Sequence, residues 1–131
     1  MTAKEWATFG EFVRNRGLWN GKQLIRSELI GESVKPTVPQ NPAYGLTWWL
    51  KEPVSDAIAG QNATVKEIQV LANATWAPED LFLAAGAGKQ RLYIIPSMKL
   101  VVVRQAAIGA SRTFTDEDFV SLLLRGKKAL E

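Results

Sequence analysis

Three short apolar runs, Leu81 to Ala85, Gln90 to Ile95 and Leu100 to Gln105, follow one another in the second half of the chain. Gly86-Ala87-Gly88-Lys89 separates the first two and Pro96-Ser97-Met98-Lys99 the last two, so the segment reads as consecutive antiparallel hairpins. The third run, Leu100-Val101-Val102-Val103, has no polar alternation, and a strand of that kind needs cover on both faces. Helices must therefore flank the sheet. The fold class this predicts is α+β, with an antiparallel sheet of three core strands, amino-terminal helices and a carboxy-terminal helix.

The flanking segments supply those helices. Thr2 and Glu5 form a capping-box pattern, and Trp6, Phe9, Phe12 and Val13 recur at helical spacing until Gly17. A natural start falling on the cap itself would be unusual. A second helix is predicted from Ser27 to about Val34, stopped by Pro36. Residues 35–42 hold three prolines and form an extended connector. Tyr44, Leu46, Trp48 and Leu50 alternate with Gly45, Thr47 and Trp49, the period of a strand. Residues 54–64 admit a short helix ending near Gly60, and residues 65–76 give no decisive period. At the other end Thr115 caps a helix with Asp116, Glu117 and Asp118 at its start and Arg125, Lys127 and Lys128 near its end, as the helix dipole favours. Phe119, Leu122 and Leu123 are its expected apolar face. The organisation is read as one domain over residues 1–131, helical over 1–35, a connector over 36–42, and sheet plus last helix over 43–131.

Composition removes several chemistries. The chain has no cysteine and no histidine, so it cannot build a usual zinc site, a thiol nucleophile or a Ser-His-Asp relay. No metal site and no cofactor is expected. The net charge of +3 is spread along the chain and not gathered into a stripe, which argues against nucleic acid as a partner. Apolar runs fall well short of the roughly 20 residues of a membrane span, and no secretory leader opens the chain. A soluble chain with no membrane partner is expected, its compartment open.

Gly88-Lys89 invites comparison with a phosphate-binding loop, but Leu83 occupies the place of the first glycine and Gln90 that of the hydroxyl residue. A bend between strands is the favoured reading. Asn62-Ala63-Thr64 and Asn73-Ala74-Thr75 match the glycosylation acceptor pattern and are read as polar loop residues. Trp48 and Trp49 point to opposite faces if the segment is extended. Packing is favoured for Trp48, while packing and ligand contact both stay open for Trp49. Glu79 and Asp80 cannot flank one bond from adjacent positions and read as the start of a turn.

Three stretches, taken in order, resemble one family. MTAKEWATFGEFVRNRGLWNGKQLI is similar to the helix that follows the catalytic centre of serine β-lactamases and penicillin-binding-protein-like hydrolases, in particular class C β-lactamases and related esterases and amide hydrolases. NPAYGLTWWL resembles their Tyr-Gly-Leu-Gly-Trp strand, and GAGKQRLYIIPSMKLVVVRQ their closing hairpin. The resemblance covers nearly the whole chain. It implies a Ser-x-x-Lys nucleophile pair, a Tyr-x-Asn element and a third motif related to Lys-Thr-Gly. Here Ser27, Ser33, Ser55, Ser97, Ser111 and Ser121 all lack a lysine three residues on, and neither Tyr44 nor Tyr93 begins Tyr-x-Asn. Alignment on the Ile95-Pro96 turn puts Ala84-Ala85-Gly86 at the third motif. Alanines there remove the cation and hydroxyl that would hold a substrate carboxylate, which favours esters or amides without one.

The resemblance further implies the Ala87 N–H as one of two oxyanion-hole donors, with Trp49 as a possible substrate wall. It also implies a missing partner strand beside Leu100 to Gln105. The expected partner is a second copy of the chain or a complementary amino-terminal segment at that edge. The expectation is thus the carboxy-terminal portion of a serine hydrolase, inactive alone, or alternatively a stand-alone interaction or self-associating module.

Overall fold

The computed structural model describes residues 1–109 and 113–130, with side chains to residue 126. Ser111 and the side chains of Lys127 and Lys128 lie outside the described residues. In chain order the elements are α1 (Ala3–Arg14), β1 (Leu18–Trp19), β2 (Lys22–Gln23), α2 (Ser27–Ser33), β3 (Trp49–Leu50), α3 (Asp56–Ala59), α4 (Ala63–Ala72), β4 (Phe82–Gly86), β5 (Gln90–Ile95), β6 (Leu100–Arg104) and α5 (Asp116–Leu130). The fold is α+β. An antiparallel sheet of order β3-β4-β5-β6 forms its centre, and the three hairpin strands expected from the sequence are β4, β5 and β6.

Alternation along β4 and β5 sorts their side chains to two faces. Leu92, Ile94 and Phe82 join Val13 of α1, Trp48 and Leu50 in one core. Leu83, Tyr93 and Ile95 join Ile68 and Leu71 of α4 and Val120 and Leu124 of α5 in the other. Val101 and Val103 pack on the first core and Leu100 and Val102 on the second. Both faces of β6 are thereby covered, for the reason its unbroken apolar run predicted.

The helix ends obey their caps. In α1 the Thr2 hydroxyl accepts from the Glu5 N–H at 3.2 Å and the Glu5 carboxylate accepts from the Thr2 N–H at 2.7 Å. The Thr115 hydroxyl accepts from the Asp118 N–H at 3.1 Å at the start of α5. Asn62 caps α4 by accepting from the Thr64 N–H at 2.7 Å, and Asn73 ends the same helix. Both asparagines of the acceptor-like triplets therefore terminate a helix instead of lying in plain loops.

Three expectations are corrected. Residues 1–35 are not only helical: β1 and β2 pair around Asn20-Gly21, both at positive φ of 47° and 76°, the two-residue turn that Asn-Gly favours. The segment from Tyr44 to Leu50 is not one strand. It folds back on itself, with the Gly45 N–H on the Trp48 carbonyl at 2.8 Å and the Leu50 N–H on that of Ala43 at 2.8 Å. Gly45 lies so close to the end of α2 that a Cβ would sit 2.5 Å from the Ser33 carbonyl oxygen, and the Leu46 N–H donates to that same oxygen. This docking draws the first half of the segment off the sheet. Finally, the apolar face of α5 runs through Phe119, Val120 and Leu124, while Leu122 is 63% exposed. Asp116 is itself buried, and residues one and two turns beyond it share its side.

Tyr93 is fully buried, and its hydroxyl donates to Asp116 Oδ1 at 2.5 Å. Burial, with the Asp116 charge and hydrogen bond adding to it, pushes the phenol well above its ordinary value of 10.0. A proton held more tightly in the folded state means that stability is complete below that ordinary value and declines as pH rises beyond it. Urea unfolding at increasing pH should show wild type losing stability above pH 10.0 more steeply than Tyr93→Phe. Parallel curves would contradict this.

Candidate functional site

The positions singled out by the sequence lie along β4. β3 pairs only with its first two residues, Trp49 opposite Leu83 and Leu50 opposite Phe82. Beyond Leu83 the outer side of Ala84, Ala85 and Gly86 has no strand partner among the described residues, while the inner side pairs with β5 in full register to Gln90. Ala84 packs toward the α1 core and Ala85 toward the α4 and α5 core. Trp49 shares Ala85's face and packs on the same core. Gly86 and Ala87 are exposed where the strand ends.

The glycine-containing stretch is a bend. Ala87–Lys89 form a single 3-10 turn in which Gly88 and Lys89 have φ of 69° and 59°. Lys89 Nζ donates to Glu67 Oε1 at 2.7 Å and to the Phe114 carbonyl at 3.0 Å. Its cation is thus spent on the protein. The Gln90 carboxamide pairs with both backbone groups of Ala106, at 2.6 and 3.0 Å, and Arg104 donates to the Lys89 carbonyl at 2.6 Å while lying 3.8 Å above the Phe114 ring. These contacts fix the bend from the side of β6 and the segment before α5.

Trp48 is a packing residue: it is buried, stacked on Phe9 at 6.2 Å and edge-on to Phe82 at 5.2 Å. Trp49 is half-buried, meets the Tyr44 ring edge-on at 4.6 Å and lines a cavity of about 640 Å³. Gln40, Asn41, Gln61 and Asn62 supply the polar lining and Ile58 and Val65 the rest. Sequence reasoning missed these carboxamides because they come from the proline-rich connector and the turn between two short helices, where polar residues signal nothing beyond a loop.

Ser33, Ser97 and Ser121 each have a structural partner that does not activate them as nucleophiles. Ser33 donates to the Ile30 carbonyl at 2.7 Å. Ser97 donates to Asp80 Oδ1 at 2.7 Å, and the other Asp80 oxygen accepts the Ser97 N–H at 2.6 Å, a tie between the start of β4 and the turn after β5. Asp80 itself lies in the turn that follows Pro78, where the sequence placed it. Ser121 accepts from Arg125 Nη2 at 2.9 Å beside a second cavity of about 480 Å³ lined by Trp76, Pro78, Met98 and Leu124. A guanidinium stays protonated and cannot take the serine's proton. Among the described residues no cluster of acidic side chains is suited to a metal ion, and no helix is long and apolar enough to cross a membrane.

The other polar group the sequence reading passed over is Arg91. It is the second residue of β5, leading into the apolar run Leu92 to Ile95, and is buried against Asp116, a combination that calls for a paired charge. Neither a protein-family model nor a curated protein sequence matches the chain.

Proposed function

We propose that this chain is the substrate-wall portion of a serine hydrolase of β-lactamase-like fold, one that acts in the complete protein by acyl transfer on ester, amide or β-lactam substrates. The observation that carries this reading is the open side of β4. β3 stops opposite Leu83, so the third-motif positions Ala84-Ala85-Gly86 lie on a strand margin, with Trp49 on the face of Ala85 and Ala87 exposed at the end. A serine presented beside that margin would form its ester within reach of the Ala87 N–H, the proposed oxyanion donor, and the second donor would come from the serine's own backbone. Alanine at the Lys and Thr positions leaves no cation there for a substrate carboxylate. Without Ser-x-x-Lys and Tyr-x-Asn the chain is inactive alone.

Intact mass after treatment with a serine-reactive fluorophosphonate tests this. A serine oxygen that has passed its proton to a base attacks the reagent's phosphorus, and fluoride leaves as the P–O bond forms. The chain alone should gain no adduct, whereas the chain joined to an upstream segment bearing Ser-x-x-Lys should gain one. A one-to-one adduct on the chain alone would sink the reading.

A second reading is favoured by the other margin of the sheet. β6 pairs with β5 on one side and with no strand on the other among the described residues. Leu100–Arg104 contains no proline and no charge before Arg104, so it lacks the devices by which exposed strands avoid pairing. On this reading the chain is a non-catalytic module that associates with a second copy, or a complementary segment, along β6. Sedimentation equilibrium should then give a concentration-dependent dimer that Val102→Lys dissociates. A well-folded monomer at every concentration would contradict it.

A further inference from the structure

The outer side of β6 has no strand partner among the described residues, and the strand itself says what would cover it. All five residues Leu100–Arg104 are half-buried. Leu100 and Val102 reach the core under α4 and α5, while Val101 and Val103 reach the core under α1. A strand that extends the sheet here meets apolar surface on both of its faces, so it must be apolar without alternation. β6 is such a strand.

We infer that β6 is its own complement: two copies of the chain pair antiparallel along it about a two-fold axis at Val102, joining two four-stranded sheets into one of eight strands. The inference rests on the second reading above, association along β6, and adds to it the identity of the partner and the register. Val102 then lies opposite Val102 of the other copy, Val101 opposite Val103, and Leu100 opposite Arg104, so every residue of the strand is paired. An axis at Val101 would draw Lys99, at φ of 51°, and the Pro96–Met98 turn into the ladder. An axis at Val103 would set Leu100 and Val101 against Ala106 and Gln105, beyond the end of the strand. Charge selects the antiparallel sense: it places Lys99 opposite Gln105, whereas a parallel pair in register would bring Arg104 beside Arg104 and Lys99 beside Lys99.

The helices leave room for this. Gly10 of α1 lies over β5 and β6 together, since a Cβ there would come 2.6 Å from Val101 Cγ1 and 2.8 Å from Leu92 Cδ1. With neighbouring strands about 4.8 Å apart, the two copies of α1 would stand about 10 Å apart on one face of the joined sheet, a distance at which helices pack. On the other face α4 and α5 centre on Leu83, Tyr93 and Ile95 of β4 and β5, set back from the margin.

The chain has no cysteine, so single cysteines report the register directly. Each variant is treated with diamide, which takes up the two thiol hydrogens as the S–S bond forms, and is run on a non-reducing gel. Val102→Cys should give a linked dimer, because directly opposite residues lie within the span of a disulfide. Val101→Cys and Val103→Cys should each stay unlinked alone, their like residues being about 7–8 Å apart on the diagonal, and should link when mixed. Sedimentation equilibrium of the reduced proteins reports association separately. If Val102→Cys does not associate when reduced, the mixed pair decides. A sedimenting dimer in which neither Val102→Cys nor the mixed pair links, or in which Val101→Cys links to itself, would overturn this inference and leave association along β6 standing. A monomer at every concentration would overturn both and leave the margin to a segment of another protein.

Discussion

The arrangement depends on one buried ion pair. Arg91 Nε donates to Asp116 Oδ1 at 2.8 Å and Nη2 to Asp116 Oδ2 at 3.2 Å, with both residues almost wholly out of solvent. Removing such a pair from water costs several kcal/mol per ion, which is offset only when the remaining hydrogen-bonding positions are also filled. Here they are. Tyr93 donates to Asp116, Glu67 accepts from Nη2 at 3.2 Å, and Nη1 reaches the carbonyls of Gln90 at 3.1 Å and Gly86 at 3.4 Å. Asp116 opens α5 and Glu67 belongs to α4, so one guanidinium ties two helices to the middle of the sheet. Through Gly86 it also reaches the end of β4. The bend carrying Ala87 is positioned by the same group that holds the second core together.

How much of this was legible follows from where the information is local. The hairpins of β4, β5 and β6 were readable because apolar runs and turn residues lie next to each other in sequence, as do the capping pairs of α1 and α5. The fold-back at Tyr44 to Leu50 was not, because its cause is the approach of Gly45 to α2, a contact no period records. The Asn20-Gly21 hairpin had a local signal that the helical reading of residues 1–35 passed over. In α4 the buried positions Val65, Ile68, Leu71 and Ala72 do recur at helical spacing. β-Branched residues among them weaken the helix preference, and Gln69 interrupts the apolar stripe, its carboxamide holding the Glu52 carbonyl and the Val54 N–H at 3.0 and 2.9 Å.

For the candidate site the division is similar. The absence of a nucleophile pair could be read directly, and so could the failure of the phosphate-loop pattern. What the sequence left open for Trp49 has a structural setting in its cavity, while Trp48 resolved into packing. The carboxamides around that cavity come from positions 40, 41, 61 and 62, brought together only because the connector and the α3–α4 turn meet over β3. Two strand margins lack a strand partner among the described residues, the outer side of β4 past the short edge strand β3 and the outer side of β6. The proposed catalytic partner and the proposed associating partner would approach from opposite sides of the sheet.

The most direct test of the role given to Arg91 is a double-mutant cycle measured by urea unfolding. Arg91→Met and Asp116→Leu should each cost about 3–5 kcal/mol, since each leaves a buried charge without its partner, and the double variant should cost less than either alone. Additive losses would mean that the two side chains do not act as a pair, and the account of how α4, α5 and the Gly86–Lys89 bend are held would fail with them.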